Sequence, residues 1–408
     1  MLAIGVLGSQ LSEAQSPMRE QALRNAASDA GVVPLKNIQI PTDPEMVAVG
    51  EKLFESTLLS FNGKTSCQTC HLDKFSSADG LPNAIGTRGE GEGDERLMSG
   101  GDVVPRNTLA LWGRGTKDFD TFFWDGKVQK YGPEIISQFG PDSPSKDPLV
   151  VAVHLPFVEI REMVVRDDRV KETYEKEETS SATNIYSILV ERLQQDKTLS
   201  TELSEAANVP PENLEFRHVA EAVANFIRSN FAVADTRFNS FMFENAELNK
   251  DELQGGLIFY GKGQCSSCHS GSLMSDLDFY VMPFQQLGFG KNGFGVDYGR
   301  FNATLNEEDT YKFRTPPLIN VTKTAPYSHS GAYSSLKETI IAHVDPLAEF
   351  DGKELTTIQR REFIAKLSKW RESTTVPEPL SETEIDYLIS FLETVEVEGS
   401  PLLSEAQR

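Results

Sequence analysis

Cys67-Gln-Thr-Cys70-His71 and Cys265-Ser-Ser-Cys268-His269 are two copies of one pattern, C-x-x-C-H, set about 200 residues apart in a chain of 408. The pattern is that of covalent haem c attachment. Its two thiols form thioethers with the haem vinyl groups, and the histidine that follows becomes an axial ligand of the iron. The chain has four cysteines and the two motifs use all of them, so none is left for a disulfide. Two other readings bear on the same residues. Four thiolates can hold one zinc ion in a ribbon, and a C-x-x-C pair can be a redox-active dithiol. Structural zinc pairs usually lie close together, and neither reading asks for a histidine directly after both pairs. The expectation is two covalently bound haem c groups, with His71 and His269 as proximal ligands.

Working outward, each motif follows a similar string. Gly50-Glu-Lys-Leu-Phe54 precedes the first and Gly255-Gly-Leu-Ile-Phe259 the second, both of the form G-x-x-[L/I]-F. Each closes a helical pattern. In the first, Asp43 suits an N-cap, Pro44 the first helical position, and Met46, Val49 and Leu53 one apolar face. In the second, Asn249 can cap, while Leu253, Leu257 and Ile258 line a face. The two phenylalanines are expected to point toward the haems. This weak internal repeat implies a mainly α fold of two tandem cytochrome-c-like haem domains, with long loops and few strands. The domains are expected at 38–232 and 233–408.

Further helices are expected over Asn184–Gln194, over His218–Phe231 with Val219, Val223, Phe226 and Ile227 in register, and over Glu384–Val395. Glycine-rich loops are expected at Gly80–Gly101 and Gly288–Gly299, lengths that tend to be functional in compact domains. Glu172–Thr183 is charged, rich in Ser and Thr and without apolar period, and reads as an exposed loop.

The formal net charge is −22. That argues against a nucleic-acid partner, whose phosphates need a basic surface. It favours a partner with a basic docking patch, although acidity also serves solubility alone. No segment is long and apolar enough to span a bilayer. Leu2–Leu7 is apolar and Ser12-Glu-Ala14 offers a small-x-small string, so residues 1–15 are expected to be a signal-peptide remnant. With covalent haem attachment this makes the periplasm the expected location.

Other strings resemble one family, the bacterial di-haem cytochrome c peroxidases and their MauG-type relatives. They are Pro105-Arg-Asn107 with Phe122-Phe-Trp124-Asp-Gly126, then Phe313-Arg-Thr-Pro-Pro-Leu-Ile-Asn320, Ala325-Pro-Tyr-Ser-His329-Ser-Gly331 and the closing Leu380–Leu392 segment. The resemblance runs in order over about residues 40–395. It implies a peroxide-reducing haem on His71 and an electron-transfer haem on His269. Trp124 becomes a relay between them. A carboxylate above the first iron must move a proton from the inner to the outer peroxide oxygen. The family's Glu-Met pair matches Glu162-Met163, so Glu162 is the candidate and Glu159 its local competitor. His329 is implied at the edge of the second haem. Asn107, Thr315 and Pro317 are implied as oxygen ligands of a calcium ion, a hard cation suited to such donors. The implied partners are hydrogen peroxide and a small cytochrome c or cupredoxin donor, and relatives often form homodimers.

Two departures from the family pattern carry functional weight. Members typically place a blocking histidine in the loop after the first motif. Here Leu81-Pro-Asn-Ala-Ile-Gly-Thr87 puts threonine at that place, which implies an open first haem, as in MauG-type enzymes. His154 and His218 lie outside the matching context and read as structural. The second haem's sixth ligand, methionine or tyrosine in the family, falls seven residues after Leu336, at His343. Bis-histidine ligation by His269 and His343 follows, and exchanging thioether for imidazole lowers a haem's potential. Three functions are compatible: a peroxidase fed by a small redox protein, a MauG-type enzyme oxidising a partner protein, and a non-enzymatic di-haem electron carrier.

Overall fold

The computed structural model describes residues 17–165, 179–348, 350, 352–353, 355–373 and 377–397. Eleven helices of seven or more residues organise them: α1 (17–29), α2 (Pro44–Glu55), α3 (Pro148–His154), α4 (Thr179–Gln195), α5 (Lys197–Ala207), α6 (Phe216–Asn230), α7 (Arg237–Phe243), α8 (Lys250–Phe259), α9 (Leu336–Val344), α10 (Thr357–Ser373) and α11 (Glu382–Glu393). The fold is mainly helical with few, short strands. Residues 1–15, expected as a signal-peptide remnant, lie outside the described residues.

Two helix pairs carry the haem motifs. Helix α2, which leads into the first, packs on α6, and α8, which leads into the second, packs on α11. The caps are those expected: Asp43 accepts from the amides of Glu45 and Met46, and Asn249 forms a capping box with Glu252. Such caps satisfy backbone donors that a helix start leaves free. Each pair crosses at the glycine of G-x-x-[L/I]-F. A Cβ on Gly50 would sit 2.1 Å from the Ala222 carbonyl oxygen, and one on Gly255 would sit 1.9 Å from that of Tyr387. No side chain fits at either crossing, so the shared glycine is a packing requirement of the repeat. The buried stripe of α6 includes Val219, Val223, Phe226 and Ile227, as its periodicity implies. Burying one such aliphatic or aromatic side chain is worth about 1.5–3 kcal/mol.

The strands are local. Thr121–Phe122, Val128–Tyr131 and Glu134–Ser137 form a three-stranded antiparallel sheet. Tyr131 pairs with Glu134 across Gly132-Pro133, and Gly132 takes φ +60°, a backbone state glycine adopts without a Cβ penalty. A second pair, Phe279–Val281 with Lys312–Arg314, leads into the Phe313-Arg-Thr-Pro-Pro string. One contiguous hydrophobic core runs through both helix pairs.

One expectation is corrected. The segment Glu172–Thr183 was expected to be loop, yet helix α4 begins at Thr179 and takes in its last five residues. Serine and threonine there lack an apolar period but are tolerated within a helix; residues 172–178 lie outside the described set. No helix of the described residues is long and apolar enough to cross a membrane.

Candidate functional site

Both C-x-x-C-H motifs fold into the same turn. Cys67–Thr69 and Cys265–Ser267 are single 3-10 turns. In each, the amides of the second cysteine and of the histidine donate to the first cysteine's carbonyl, at 3.1 and 3.0 Å for Cys67 and at 3.3 and 2.9 Å for Cys265. This turn presents two thiols and one imidazole together. His71 Nδ1 donates to the Ser77 carbonyl at 2.8 Å, and His269 Nδ1 to that of Met274 at 3.0 Å. A carbonyl on Nδ1 fixes the tautomer and leaves Nε2 free as a neutral donor to a metal. Burial also pushes both imidazoles down to about 4, with a contribution from the His343 charge at His269. They are therefore neutral at physiological pH, as an iron ligand must be. Among the described residues no three His, Cys, Asp or Glu converge as a metal group, so the two thiol pairs do not build a shared zinc site.

What faces the two turns differs. Near the first stands Glu162. Its loop is anchored from two sides: Met163 O accepts from Phe61 N at 2.9 Å, and Arg161 O accepts from Thr87 N at 2.7 Å. A Cβ on Gly86 would lie 1.9 Å from that same Arg161 oxygen, so only glycine permits the contact. Thr87 is fully buried, and its hydroxyl donates to Asp102 at 2.7 Å. The residue in the place of a blocking histidine thus supports the loop that carries Glu162. The Glu162 charge is felt by both thiols, raising Cys67, chiefly through burial, to about 12 and Cys70 higher still.

The two candidate carboxylates are pushed apart. Burial raises Glu162 to about 7, against the opposing pull of Lys127 and Lys291. Glu159 lies 3.8 Å from Lys127 Nζ and 3.9 Å from Lys291 Nζ, and the Lys127 charge holds it below the ordinary range. Glu159 is a paired group whose ionised form the two lysines favour. Glu162 is a carboxyl able to hold or release a proton near neutrality, the property a proton shuttle needs.

Facing the second turn is an imidazole. Cys265, Cys268, His269 and His343 line one cavity of about 280 Å³. His343 Nδ1 donates to the Thr339 carbonyl at 2.7 Å, one turn back on α9, again leaving Nε2 free. A charge on His343 disfavours one on His269, which puts the two rings in electrostatic reach of each other.

The family model described as di-haem cytochrome c peroxidase matches residues 44–247. The chain belongs to the di-haem cytochrome c peroxidase family. Curated relatives include the methylamine utilization protein MauG of Methylorubrum extorquens, 26% identical over 339 residues, 80% of this chain and 78% of that one. Another is the cytochrome c551 peroxidase of Nitrosomonas europaea, 25% identical over 336 residues, 81% and 83%. Among solved structures, the diheme peroxidase BthA from Burkholderia thailandensis superposes with a TM-score of 0.61 at 18% identity, covering 90% of both chains. That likeness is one of fold.

As a di-haem peroxidase family oxidoreductase, the chain carries two haem-attachment motifs, and the second cavity has the chemistry to hold a haem. Its walls are mainly apolar, but Arg114 and Arg314 line it. Arg314 is 1% exposed, and among the described residues its Nη2 has no hydrogen-bond partner. Arg114 is buried, and its Nε donates to the Ala110 carbonyl at 2.6 Å. Burial lowers Arg114 to about 10 and Arg314 much further, with the Arg114 charge adding to the latter. Two guanidiniums without a carboxylate ion pair are what two haem propionates would compensate. Of the motif phenylalanines, Phe259 lines this cavity, and the Phe54 ring lies 6.3 Å from that of His71.

Trp124 and His329 line the second cavity, their ring centroids 6.5 Å apart. Trp124 Nε1 donates to Asn107 O at 2.9 Å, and its carbonyl accepts from Arg314 N at 2.9 Å. His329 stacks on Phe313 at 3.8 Å, and its Nε2 donates to Gln286 Oε1 at 2.9 Å. Asn107, Thr315 and Pro317, the implied calcium ligands, border the same cavity. The Thr315 carbonyl, however, accepts from Ser275 Oγ at 2.7 Å and from Arg314 Nη1 at 3.3 Å. A cation there would have to displace a guanidinium.

The remaining histidines are structural. His154 Nδ1 donates to the Val150 carbonyl, and its ring is boxed by Phe139, Tyr186 and Phe216. His218 Nδ1 accepts from Glu215 N at the start of α6. Sequence reading missed Lys127, Lys291, Arg114 and the role of Arg314. Arg314 stands inside a quoted family string, Lys127 directly after another and Lys291 in the Gly288–Gly299 loop, so position alone gave a signal, but nothing in the sequence pairs either lysine with Glu159.

Proposed function

We propose that this enzyme is a periplasmic di-haem peroxidase that reduces hydrogen peroxide with electrons from a small redox protein. In this reading the halves 38–232 and 233–408 hold one haem c each. The balance is one peroxide, two electrons and two protons giving two waters. Haem iron, when bound, supplies the redox centre and the Lewis acid at which the O–O bond breaks. Glu162 takes the proton from the inner peroxide oxygen and returns it to the outer one, so that water can leave. Thr87 and Gly86 hold the Glu162 loop in place. His71 would hold the first iron; His269 and His343 would hold the second, with His329 beside it, and Trp124 is placed to carry charge between the two haems. Arg114 and Arg314 would neutralise the propionates. The −22 net charge supports a donor with a basic docking patch, a small cytochrome c or cupredoxin.

The observation that carries this reading is the separation of the two carboxyls: Glu162 rests near neutrality while Glu159 is held ionised by two lysines. Stopped-flow mixing of the haem-loaded protein with peroxide tests it. Glu162→Gln should cripple the reaction while both haem spectra stay intact; an undiminished rate would remove Glu162 from the mechanism.

A MauG-type activity on a partner protein is the second reading. Threonine at position 87 favours it, because an open first haem needs no reductive activation. Histidine rather than tyrosine at 343 argues against it. Calcium at Asn107, Thr315 and Pro317 is proposed on the resemblance alone. Calorimetric titration of chelator-treated protein tests it, and heat-silent titration would discard the site.

A further inference from the structure

Helix α10 buries Gln359, Phe363, Lys366 and Trp370 along one face. Two of these are polar, and both grip one segment. Lys366, 1% exposed, donates from Nζ to the Phe284 carbonyl at 3.3 Å. Gln359 Nε2 donates to the Gln286 carbonyl at 2.8 Å. Between them, the Gln285 carbonyl accepts from Ser330 Oγ at 2.9 Å. Three successive carbonyls outside any strand are thus held by side chains, where unpaired they would each carry a desolvation cost.

The held segment touches both histidines of the second site. The Phe284 ring packs edge-on against His343 with centroids 4.9 Å apart, and Gln286 Oε1 accepts from His329. Among the described residues no carboxylate lies within ion-pair distance of Lys366. Two carboxylate charges reach it from farther off: Asp297, already bound by Arg106 through two hydrogen bonds of 2.9 Å, and Glu362, one turn back on α10. Burial lowers the ammonium to about 8, which leaves it charged at neutral pH.

We propose that Lys366 is a positioning residue for the second haem: it holds Phe284 against His343 and sets a buried positive charge behind the cavity wall. The grip fixes the His343 ring. The charge disfavours the oxidised, more positive haem and so raises its reduction potential, opposing the low potential that two imidazoles bring. This rests on His343 being an iron ligand.

The test is a potentiometric titration with EPR of the haem-loaded protein, wild type beside Lys366→Gln, Lys366→Met and Lys366→Arg. The Gln and Met variants should lower the midpoint of the low-spin haem and shift its g values, with haem content unchanged. Arginine, which keeps the charge and a donor, should restore both toward wild type. If Lys366→Met fails to fold, the Gln and Arg variants decide. A wild-type midpoint and g values in Lys366→Gln would overturn the inference alone, as would an arginine variant shifted as far as the glutamine one. Absence of a bis-imidazole signal in the wild type would overturn the His343 assignment, and this inference with it.

Discussion

The His71 half and the His269 half share their scaffolding and differ in what opposes it. Each has a helix crossing closed by one glycine, a 3-10 turn presenting two thiols, and an imidazole whose Nδ1 is tied to a carbonyl. Opposite the first turn stands a carboxyl near neutrality; opposite the second stands another imidazole. The shared parts attach a cofactor. In the proposed function the unshared parts assign it work: a carboxyl near neutrality suits bond cleavage, and a second imidazole suits electron transfer without large rearrangement. The two mounts share one plan, and a few side chains on other elements make them unequal.

The largest test of that inequality is Glu162→Gln, expected to cost about 10²–10⁴-fold in the peroxide reaction, the usual worth of a positioned acid–base group. Glu159→Gln should cost far less, because that group is locked in ion pairs. The second test is pH. The carboxylate of Glu162 accepts the first proton, so below about 7, where the group is already protonated, the second-order rate should fall as pH drops. The fall approaches about tenfold per unit well below the pKa for a single titrating base; a flat profile between pH 5 and 8 would contradict it. The third probes what the halves share. Gly50→Ala and Gly255→Ala should each destabilise the protein by about 1–3 kcal/mol through overpacking at the helix crossing, measured by denaturant unfolding. Similar costs would support a true repeat, and a neutral substitution at either site would break it. The smallest effect is expected from Thr87→Ala. It removes one buried hydroxyl bond to Asp102, worth about 0.5–1.5 kcal/mol, and should slow the peroxide reaction modestly without closing the first haem.

Much of the scaffold was legible because it rests on local rules. Asp43-Pro44 and Asn249 announce helix starts, and the repeated G-x-x-[L/I]-F string marks two equivalent helix ends. Helix α10 was not legible. Its buried face alternates Gln359 and Lys366 with Phe363 and Trp370, so the apolar period that marks a helix is broken by the residues that grip the 284–286 segment. The short sheet at 121–137 was missed for a similar reason, since Glu134–Ser137 alternates exposed with buried over only four residues. Of the site, the haem motifs were legible because their chemistry is written in contiguous residues. Arg114, Lys127 and Lys291 were not, because their meaning lies in burial and in partners distant along the chain.

EPR of the oxidised, haem-loaded protein tests the asymmetry most directly. The account predicts one high-spin ferric signal from the haem on His71 and one low-spin bis-imidazole signal from the haem on His269 and His343, in equal amounts. Two low-spin haems, or two high-spin ones, would contradict it.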